Sequence, residues 1–487
     1  MTRPALVWFR EDLRLSDNPA LTAARDSGAP VLAFYVFDEQ SDGVRPLGGA
    51  SRWWLHQSLA ALAASLEKAG GRLMILRGPA RMVIERLRVK LDPASVYWNR
   101  RYDGPGMAID SDVKADLKFL GITVESFNGA LLYEPWMVKS RSGEPMKVFT
   151  PFWRAAQASG PPPAPLPPVD KLASAKASDA DLGAVTLDDL DLLPTRPDWA
   201  GGLREAWTPG EAGAQARLDA FLRRELKGYG DGRNRPDRAA TSRLSPYLRF
   251  GEISPRQIWA AAEAAVENGS SPAPAEDLAK FQSELGWREF SHHLLFRHPE
   301  LARTNIQRKF DDFPWRPDPV LVRAWRRGMT GYPIVDAGMR QLWRTGWMHN
   351  RVRMITASFL IKHLLQDWRE GEAWFWDTLV DADPANNAAS WQWVAGSGAD
   401  AAPYYRIFNP ILQGEKFDPR GDYVRAFAPE LARLPADVIH KPWTASPDVL
   451  ARAGVRLGDT YPLPIVDHGE ARALALAALS EISSSKG

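Results

Sequence analysis

The chain contains no cysteine among its 487 residues. This absence excludes disulfides, thiolate zinc sites, cysteine-ligated iron–sulfur clusters and a cysteine nucleophile. Charge of one sign is not in excess either, because 61 Lys and Arg stand against 59 Asp and Glu, a net charge of +2. A polyanion bound over the whole surface is therefore not expected, and any affinity for nucleic acid must come from a local basic patch.

Long apolar runs are also missing. The stretch 31–37 is typical of the apolar runs in this sequence, and it is far too short to span a bilayer. The N-terminus leads into a charged segment without the apolar core and cleavage site of a signal peptide. We therefore expect a cytoplasmic protein without a membrane partner, and no metal site is predicted.

The first 130 residues alternate short apolar runs with stretches of helical periodicity. Strands are predicted at 5–9, 31–38, 72–77, 96–99 and 123–127. Helices are predicted between them at 19–27, 51–69, 80–90 and 107–120. This alternation predicts a Rossmann-like, parallel α/β sheet. The glycine pairs at 48–49 and 70–71 do not form a GxGxxG fingerprint, so a standard dinucleotide site is not predicted.

The remaining chain divides into a predicted connector over 131–205 and a predicted all-α domain over 206–487. Six prolines within residues 159–168 favour polyproline II and indicate a linker, although PxxP is also typical of ligands of other domains. Thr208-Pro-Gly-Glu211 has the form of a helix capping box. Further helices are predicted at 254–268, 275–296, 319–327, 336–345 and 349–367.

Three short segments of the predicted helical domain contain residue types that suit ligand binding. Thr241-Ser242-Arg243-Leu244-Ser245 offers hydroxyls and a cation that suit a pyrophosphate, with a helix N-cap and a surface arginine as the alternative. Glu284, Trp287 and Arg288 share one helix face and suit a nucleobase, unless they form a solvated salt bridge beside a buried indole. The stretch 381–393 is rich in Asp, Asn and Trp, and its spacing lacks the glycine and terminal glutamate of a calcium loop.

Taken together and in order, these segments resemble the photolyase–cryptochrome family over nearly the whole chain. The resemblance implies an α/β antenna domain and a helical domain that binds FAD. The matching segments are 8–18, 241–245, 287–290, 330–336, 347–354 and 381–410.

The resemblance also implies how FAD is held. Thr241–Ser245 would bind the phosphates, Arg353 would pair with Asp381, and Asn387 would face flavin N5, where plant cryptochromes usually have Asp. The implied cofactor-binding set is Tyr229, Thr241, Ser242, Arg243, Leu244, Ser245, Arg353, Asp381, Ala382, Asp383 and Asn387.

The resemblance implies a substrate as well, UV-damaged DNA with the lesion flipped out of the helix. The (6-4) photolyases have a histidine pair where this chain has Asn350 and Met354, so a cyclobutane pyrimidine dimer is the implied lesion. Glu284 would bond the base edge, while Trp287 and Trp393 would pack against the dimer. The other implied DNA contacts are Arg233, Arg288, Arg351 and Gln413.

The implied reaction is light-driven, because excited reduced FAD donates an electron to the dimer, the ring splits and the electron returns. Trp391, Trp368 and Trp315 match the tryptophan chain that photoreduces oxidised flavin, so the implied catalytic set is these three residues with Glu284 and Asn387. A blue-light photoreceptor and a (6-4) photolyase remain the alternatives.

The match to the family is weakest in the segment that would bind an antenna chromophore. Folate-binding members of the best-known bacterial class carry an Asn-Glu pair after the fourth strand, where this chain has Tyr102-Asp-Gly-Pro-Gly-Met107. A methenyltetrahydrofolate bound differently, as in class III enzymes, is favoured, and a deazaflavin or an empty pocket stays open. The class, I or III, also stays open, and we expect a monomer.

Overall fold

The computed structural model describes residues 3–140, 143–144, 146–400 and 405–484. The chain divides into two compact units. The first comprises Met1–Lys227, Ser242–Pro299 and Val380–Asp383, and the second comprises Gly228–Thr241, Glu300–Leu379 and Pro384–Gly487. This division is not a test of the predicted boundaries at residues 130 and 205, which stay predictions.

A five-stranded parallel sheet forms the centre of the first unit. Its strands are β1 (Ala5–Phe9), β2 (Val31–Phe37), β3 (Leu73–Arg77), β4 (Ser95–Asn99) and β5 (Thr123–Phe127). Their order is β3-β2-β1-β4-β5. The predicted strands are confirmed to within one residue at each end. Strands β1 and β2 are apolar and buried along their whole length, as expected where helices cover both faces of a sheet.

Polar side chains tie together the carboxyl ends of β1 and β4, where the strand order reverses. Arg10 pairs with Asp110 at 2.5 Å, and Asn99 Nδ2 donates to Asp12 Oδ2 at 2.6 Å. Ligands of such sheets usually bind at this edge. In this chain, buried charged and amide side chains bond to one another at this edge.

Helices alternate with the strands and then continue the chain. In order they are α1 (Pro19–Asp26), α2 (Gly49–Lys68), α3 (Ala80–Leu91), α4 (Gly104–Phe119), α5 (Phe149–Ala158), α6 (Asp179–Leu182), α7 (Gly201–Ala206), α8 (Glu211–Arg224), α9 (Tyr229–Gly232), α10 (Ser245–Arg249), α11 (Pro255–Glu267) and α12 (Ala275–Arg297). Of these, α9 belongs to the second unit. The predicted helices of the α/β region are confirmed, with ends that differ by up to three residues.

Much of the segment 131–205 lies against the sheet of the first unit. The N–H of Ala175 donates to the carbonyl of Val31 (2.9 Å), and the N–H of Val185 donates to that of Ile75 (2.9 Å). Helix α5 buries Phe152 and Trp153. The proline-rich stretch 159–168 has no regular secondary structure beyond the end of α5, as its composition predicts. The segment is therefore more than a spacer.

The predicted capping box at Thr208–Glu211 is wrong. Helix α8 begins at Glu211 behind Gly210, without a side-chain cap. The Glu211 carboxylate instead accepts the N–H groups of Leu15 (2.8 Å) and Ser16 (2.9 Å). Glu211 therefore accepts hydrogen bonds from the loop after β1, which is distant in sequence, in place of the predicted local cap.

The second unit is helical. The predicted helix at 349–367 is split, because a π-helical turn at Phe359–His363 follows its first nine residues. Across the described residues, no helix has the length and apolar composition that a membrane span requires. After α9, the α-helices of this unit are α13 (Pro319–Arg327), α14 (Pro333–Thr345), α15 (Asn350–Ser358), α16 (Trp368–Thr378), α17 (Asn386–Ala395), α18 (Pro410–Phe417), α19 (Asp422–Phe427), α20 (Pro447–Ala453) and α21 (His468–Ser484).

Short 3₁₀ turns complete the described secondary structure. One of them, Asp188–Leu190, belongs to the first unit. The others, in the second unit, are Arg308–Asp312, Pro429–Leu431 and Pro442–Thr444.

A buried carboxyl in the first unit makes stability depend on pH. Glu252 Oε1 accepts the indole N–H of Trp54 (3.1 Å) and the N–H of Gly210 (2.7 Å). Burial raises the pKa of Glu252 from 4.5 to about 8. Because the folded-state pKa is raised, the stability tied to this group is present below the unfolded pKa and is lost as the pH rises towards 8.

We therefore expect the stability of Glu252→Gln to increase relative to that of the wild type as the pH rises. The difference in Tm between variant and wild type should grow by roughly 2–4 °C from pH 5 to pH 8.5. Thermal unfolding at the two pH values measures it, and a difference that is the same at both would contradict the assignment.

Candidate functional site

The segment Val380–Asp383 is held against helix α10 within the first unit. The Ser245 hydroxyl donates to Asp381 Oδ2 at 2.6 Å, and Arg249 Nε donates to the carbonyl of Ala382 at 2.6 Å. Asp381, Ala382 and Asp383 are buried. Two hydrogen bonds therefore fix the Asp381 carboxylate and the backbone at Ala382.

The segment Ser242–Ser245 is also anchored. Arg217 Nε donates to the carbonyl of Ser242 (2.7 Å). Arg243 has a φ of 51° and its guanidinium lies 4.3 Å from the Trp207 ring, while Leu244 is buried. A hydroxyl has one hydrogen, so Ser245 cannot donate to a phosphate while it donates to Asp381. The predicted phosphate role of this segment stays a prediction, as does the pairing of Asp381 with Arg353.

Asp383 lies beside a buried imidazole. Its Oδ2 is 3.9 Å from His292 Nε2, and His292 Nδ1 is 3.0 Å from the carbonyl of Arg288. A carbonyl only accepts, so the neutral ring carries its proton on Nδ1. Burial lowers the pKa of His292, which keeps this ring neutral at physiological pH.

Helix α12 presents the residues predicted to meet a nucleobase. Glu284 Oε1 lies 3.2 Å from Lys280 Nζ. The half-buried indole of Trp287 stacks on Phe149 with ring centroids 3.7 Å apart and an interplanar angle of 9°. The helix therefore carries a carboxylate beside a half-buried indole that Phe149 covers on one face.

Arg288, predicted to contact DNA, is engaged inside the first unit. Its Nη1 donates to the carbonyl of Ala130 (2.8 Å) and to Glu289 Oε1 (3.3 Å), and its side chain is only 12% exposed. Glu289 Oε2 also accepts the N–H groups of Leu132 and Tyr133. Arg288 therefore ties the segment after β5 to α12, and its phosphate contact stays a prediction.

In the second unit, helix α15 carries the residues predicted to discriminate between lesions. Asn350 is exposed and Met354 is half-buried, so both side chains reach the surface of the unit. The helix begins behind His349, whose Nδ1 accepts the N–H of Arg351 at 3.2 Å. Arg353 Nε donates to the carbonyl of Met348 (2.7 Å). Asn350 and Met354 therefore lie on a helix that begins at a histidine cap.

A basic cluster surrounds Arg351. Its Nη2 donates to Asn234 Oδ1 (2.6 Å), and its guanidinium lies 4.5 Å from the Phe417 ring. Burial, Arg233 and Arg406 together lower the pKa of Arg351. Like charges held this close suit an anionic partner.

Asn387 has a defined amide orientation. Its Nδ2 donates to the Glu372 carbonyl (3.0 Å) and to Glu372 Oε1 (2.8 Å). Both partners only accept, which assigns Nδ2 to this side and Oδ1 to the opposite one. Asn387 therefore presents an acceptor oxygen on a buried side chain.

The three tryptophans of the predicted electron chain lie in the second unit. Trp391 packs so closely over Gly371 that an added Cβ there would lie 2.1 Å from the indole. Trp368 is fully buried and its Nε1 donates to Asn305 Oδ1 at 2.9 Å. Trp315 is half-buried, 4.4 Å from the Phe313 ring. Their succession as an electron path stays a prediction.

The other predicted contacts also lie in the second unit. Tyr229 is buried at the start of α9 and Arg233 caps that helix. Trp393 and Gln413 are half-buried on α17 and α18, and Thr241 belongs to this unit too. Of the matching segment 381–410, residues 401–404 lie outside the described residues. No group of three or more His, Asp or Glu suited to a metal occurs in the described parts of the chain.

Several residues around these groups were missed from the sequence. Phe149, Asn305, His349 and Glu372 each contact a predicted site residue. Only Phe149 carried a usable signal, because Phe149, Phe152 and Trp153 have the spacing of one helix face. The others depend on contacts between segments distant in sequence.

Known proteins resemble the chain along its whole length. Residues 5–169 match a family model described as DNA photolyase, and residues 281–481 match the FAD binding domain of DNA photolyase. The deoxyribodipyrimidine photo-lyase of Agrobacterium fabrum is 56% identical, over 99% of this chain and 98% of that protein. Cryptochrome-1 of Arabidopsis thaliana is 41% identical, over 98% of this chain and 70% of that protein.

A solved structure is similar as well. The crystal structure of a bacterial class III photolyase from Agrobacterium tumefaciens superposes with a TM-score of 0.95 at 55% identity. It covers 99% of this chain and 98% of that one. The similarity extends across both units of the present chain.

The histidine cap of α15 gives a prediction that needs no ligand. Burial, with Arg351, Arg233 and Arg353, lowers the pKa of His349 to about 3. Because the folded pKa is depressed, the stability tied to the neutral ring is present above the unfolded pKa of 6.5 and is lost as the pH falls below it.

We expect His349→Ala to cost about 1 kcal/mol of unfolding free energy at pH 8, the usual loss for a missing N-cap, and less at pH 5. His349→Asn keeps a capping acceptor and should retain most of the stability at pH 8. Denaturant unfolding measures both variants, and equal losses for Ala and Asn at pH 8 would rule out the cap.

Proposed function

The chain belongs to the photolyase–cryptochrome family, and we propose that it is a deoxyribodipyrimidine photo-lyase that splits cyclobutane pyrimidine dimers in UV-damaged DNA. The observation that carries this proposal is the pairing on α12 of a carboxylate, Glu284, with the half-buried indole of Trp287. A carboxylate reads a base edge and an aromatic face stacks on a flipped base.

The side chains present fit FAD. Buried carboxylates at Asp381 and Asp383 and the acceptor oxygen of Asn387 complement the N–H groups of an isoalloxazine ring. When bound, FAD supplies an electron made accessible by light, which no side chain does. The residues that would hold it are Tyr229, Thr241, Ser242, Arg243, Leu244, Ser245, Arg353, Asp381, Ala382, Asp383 and Asn387.

Asn387 would contribute an acceptor and no proton. Glu372 occupies the amide nitrogen with two acceptors, so Oδ1 is the atom left for an N–H on flavin N5. An amide has no acidic hydrogen to give, unlike a carboxylic acid at the same place. This supports a repair enzyme over a photoreceptor that needs a proton donor.

The proposed contacts with the lesion are those that the family resemblance implies. Glu284 would bond the base edge, and Trp287 and Trp393 would pack against the dimer. Asn350 and Met354, which reach the surface of the second unit, would take the place of a histidine pair. Without that pair, acid–base work on a (6-4) lesion has no obvious donor on α15.

DNA phosphates would bind the basic cluster of the second unit. Arg233 and Arg351 are the candidates, because burial and the positive charges of Arg233 and Arg406 lower the pKa of Arg351. A phosphate would relieve that repulsion. Arg288 is a weaker candidate, since its guanidinium already bonds Ala130 and Glu289. Gln413 is a further proposed DNA contact.

A second chromophore belongs to the proposal too, with methenyltetrahydrofolate favoured over a deazaflavin. The similarity to a class III photolyase supports it. Asp103, in the segment where a folate contact would be sought, instead caps α4 and pairs with Arg101 at 2.8 Å. Mass spectrometry of chromophores released from the purified protein tests the identity of the second chromophore.

The proposal also includes a monomeric state and a cytoplasmic location.

The proposed function is tested by light-dependent repair. The purified, chemically reduced holoprotein is mixed with duplexes that carry a thymine dimer or a (6-4) photoproduct, in blue light or in darkness. We expect thymine monomers only from the dimer and only in light. Flavin photochemistry without repair would favour the photoreceptor, and repair of the (6-4) lesion would favour that enzyme class.

Trp315→Phe should block photoreduction of oxidised FAD and leave repair by reduced protein nearly intact. Phe keeps the apolar contacts with Phe313 and the cluster around Leu365, but it is much harder to oxidise than Trp. Flavin absorbance under blue light with an added reductant measures the first effect. Photoreduction at the wild-type rate would mean that another of the 20 tryptophans provides an exit.

Arg351→Gln and Arg288→Gln should differ in their effect on DNA binding. Removing one phosphate contact lowers the slope of log K against log salt by about 1. We expect this full reduction for Arg351→Gln and a smaller one for Arg288→Gln. Arg288→Gln is the matched control, because it removes the same charge from a guanidinium engaged inside the first unit. A larger reduction for Arg288→Gln than for Arg351→Gln would reverse the assignment.

A further inference from the structure

Helices α5 and α12 of the first unit bring two aromatic rings into a parallel stack. Phe149, the first residue of α5, lies over Trp287 with ring centroids 3.7 Å apart and planes 9° from parallel. Aromatic pairs usually have centroids 4.5–7 Å apart because they are offset or edge-on. At the shorter distance the phenyl ring lies directly over one face of the indole.

The stack exists because the two helices approach closely one turn further along. Trp153 lies against Gly286, where an added Cβ would be 2.6 Å from the indole. Glycine inside a helix is destabilising relative to alanine, so the close approach is the physical reason for glycine at this position. Phe149 precedes Trp153 by four residues and thus lies on the same face of α5.

Phe149 is held on more than one side. Its ring also meets Phe290 of α12 edge-on at 6.1 Å, and Trp153 in an offset stack at 6.4 Å. Phe290 and Trp153 are buried, while Phe149 and Trp287 are both half-buried. The pair is therefore anchored in the core of the unit and reaches its surface.

We propose that Phe149 is a positioning residue for the lesion, which fixes the plane of Trp287 and leaves the opposite face of that indole for the pyrimidine dimer. The inference rests on the proposed function, in which Trp287 packs against the dimer. It adds a residue that lies outside α12 and would not touch the substrate.

The stack matters because it removes motion before binding. A surface indole covered on neither face must lose its rotational freedom when a ligand stacks on it, and that loss weakens affinity. Phe149 restricts the ring in the free protein. It also fixes the angle between the indole plane and Glu284, one turn earlier on α12, so that stacking and base-edge bonding can occur together.

The test compares dark binding of a dimer-containing duplex with binding of the same duplex undamaged. Phe149→Ala should lower the ratio of the two affinities by about 3- to 10-fold, the usual size of an aromatic pair. Affinity for undamaged DNA and its salt slope should stay at the wild-type value. Phe149→Leu keeps the apolar volume without a ring and should resemble Ala, whereas Phe149→Tyr should resemble the wild type.

Phe119→Ala is the matched control, because Phe119 lies on α4 of the same unit and is 90% exposed. If the wild type itself shows no preference for the dimer, the proposed function fails. If the wild type prefers the dimer and both Phe149→Leu and Phe149→Ala keep or increase that preference, only the role of Phe149 is overturned. An increase would mean that Phe149 covers the face that the dimer uses.

Discussion

The contact of Trp153 with Gly286 is the constraint on which the packing of α5 against α12 depends. Only a residue without a side chain lets α5 lie this close to α12. From that contact follows the stack of Phe149 on Trp287. Two helices that the chain separates by more than a hundred residues thus form one rigid support for a single ring.

In the second unit, buried partners orient the polar groups in the same way. Glu372 turns the amide of Asn387, Asn305 bonds the Trp368 indole, and His349 starts the helix that carries Asn350 and Met354. None of these partners needs to meet a ligand. The result is a set of side chains whose directions are fixed before a cofactor or a lesion arrives, which is how a protein assists chemistry that belongs to its cofactor.

Short apolar runs and helical periodicity were enough for the strands and most of the helices, because both are local properties of the chain. It was not enough for the segment 131–205 or for Glu211, since their hydrogen bonds join residues far apart in sequence. The candidate site divides in the same way. Glu284, Trp287 and the 381–393 stretch are recognisable from spacing and family resemblance, whereas the packing of Phe149 and the capping by His349 depend on the folded structure. The bond from Arg288 to the carbonyl of Ala130 likewise joins residues far apart in sequence.

The most direct measurement is a crystal structure of the holoprotein bound to a duplex that contains a thymine dimer. The account predicts the dimer outside the helix, in van der Waals contact with the face of Trp287 opposite Phe149, with the Glu284 carboxylate bonded to a base edge. Phe149 should remain stacked at its present distance. A dimer bound away from Trp287, or one that displaces Phe149 to reach the indole, would contradict it.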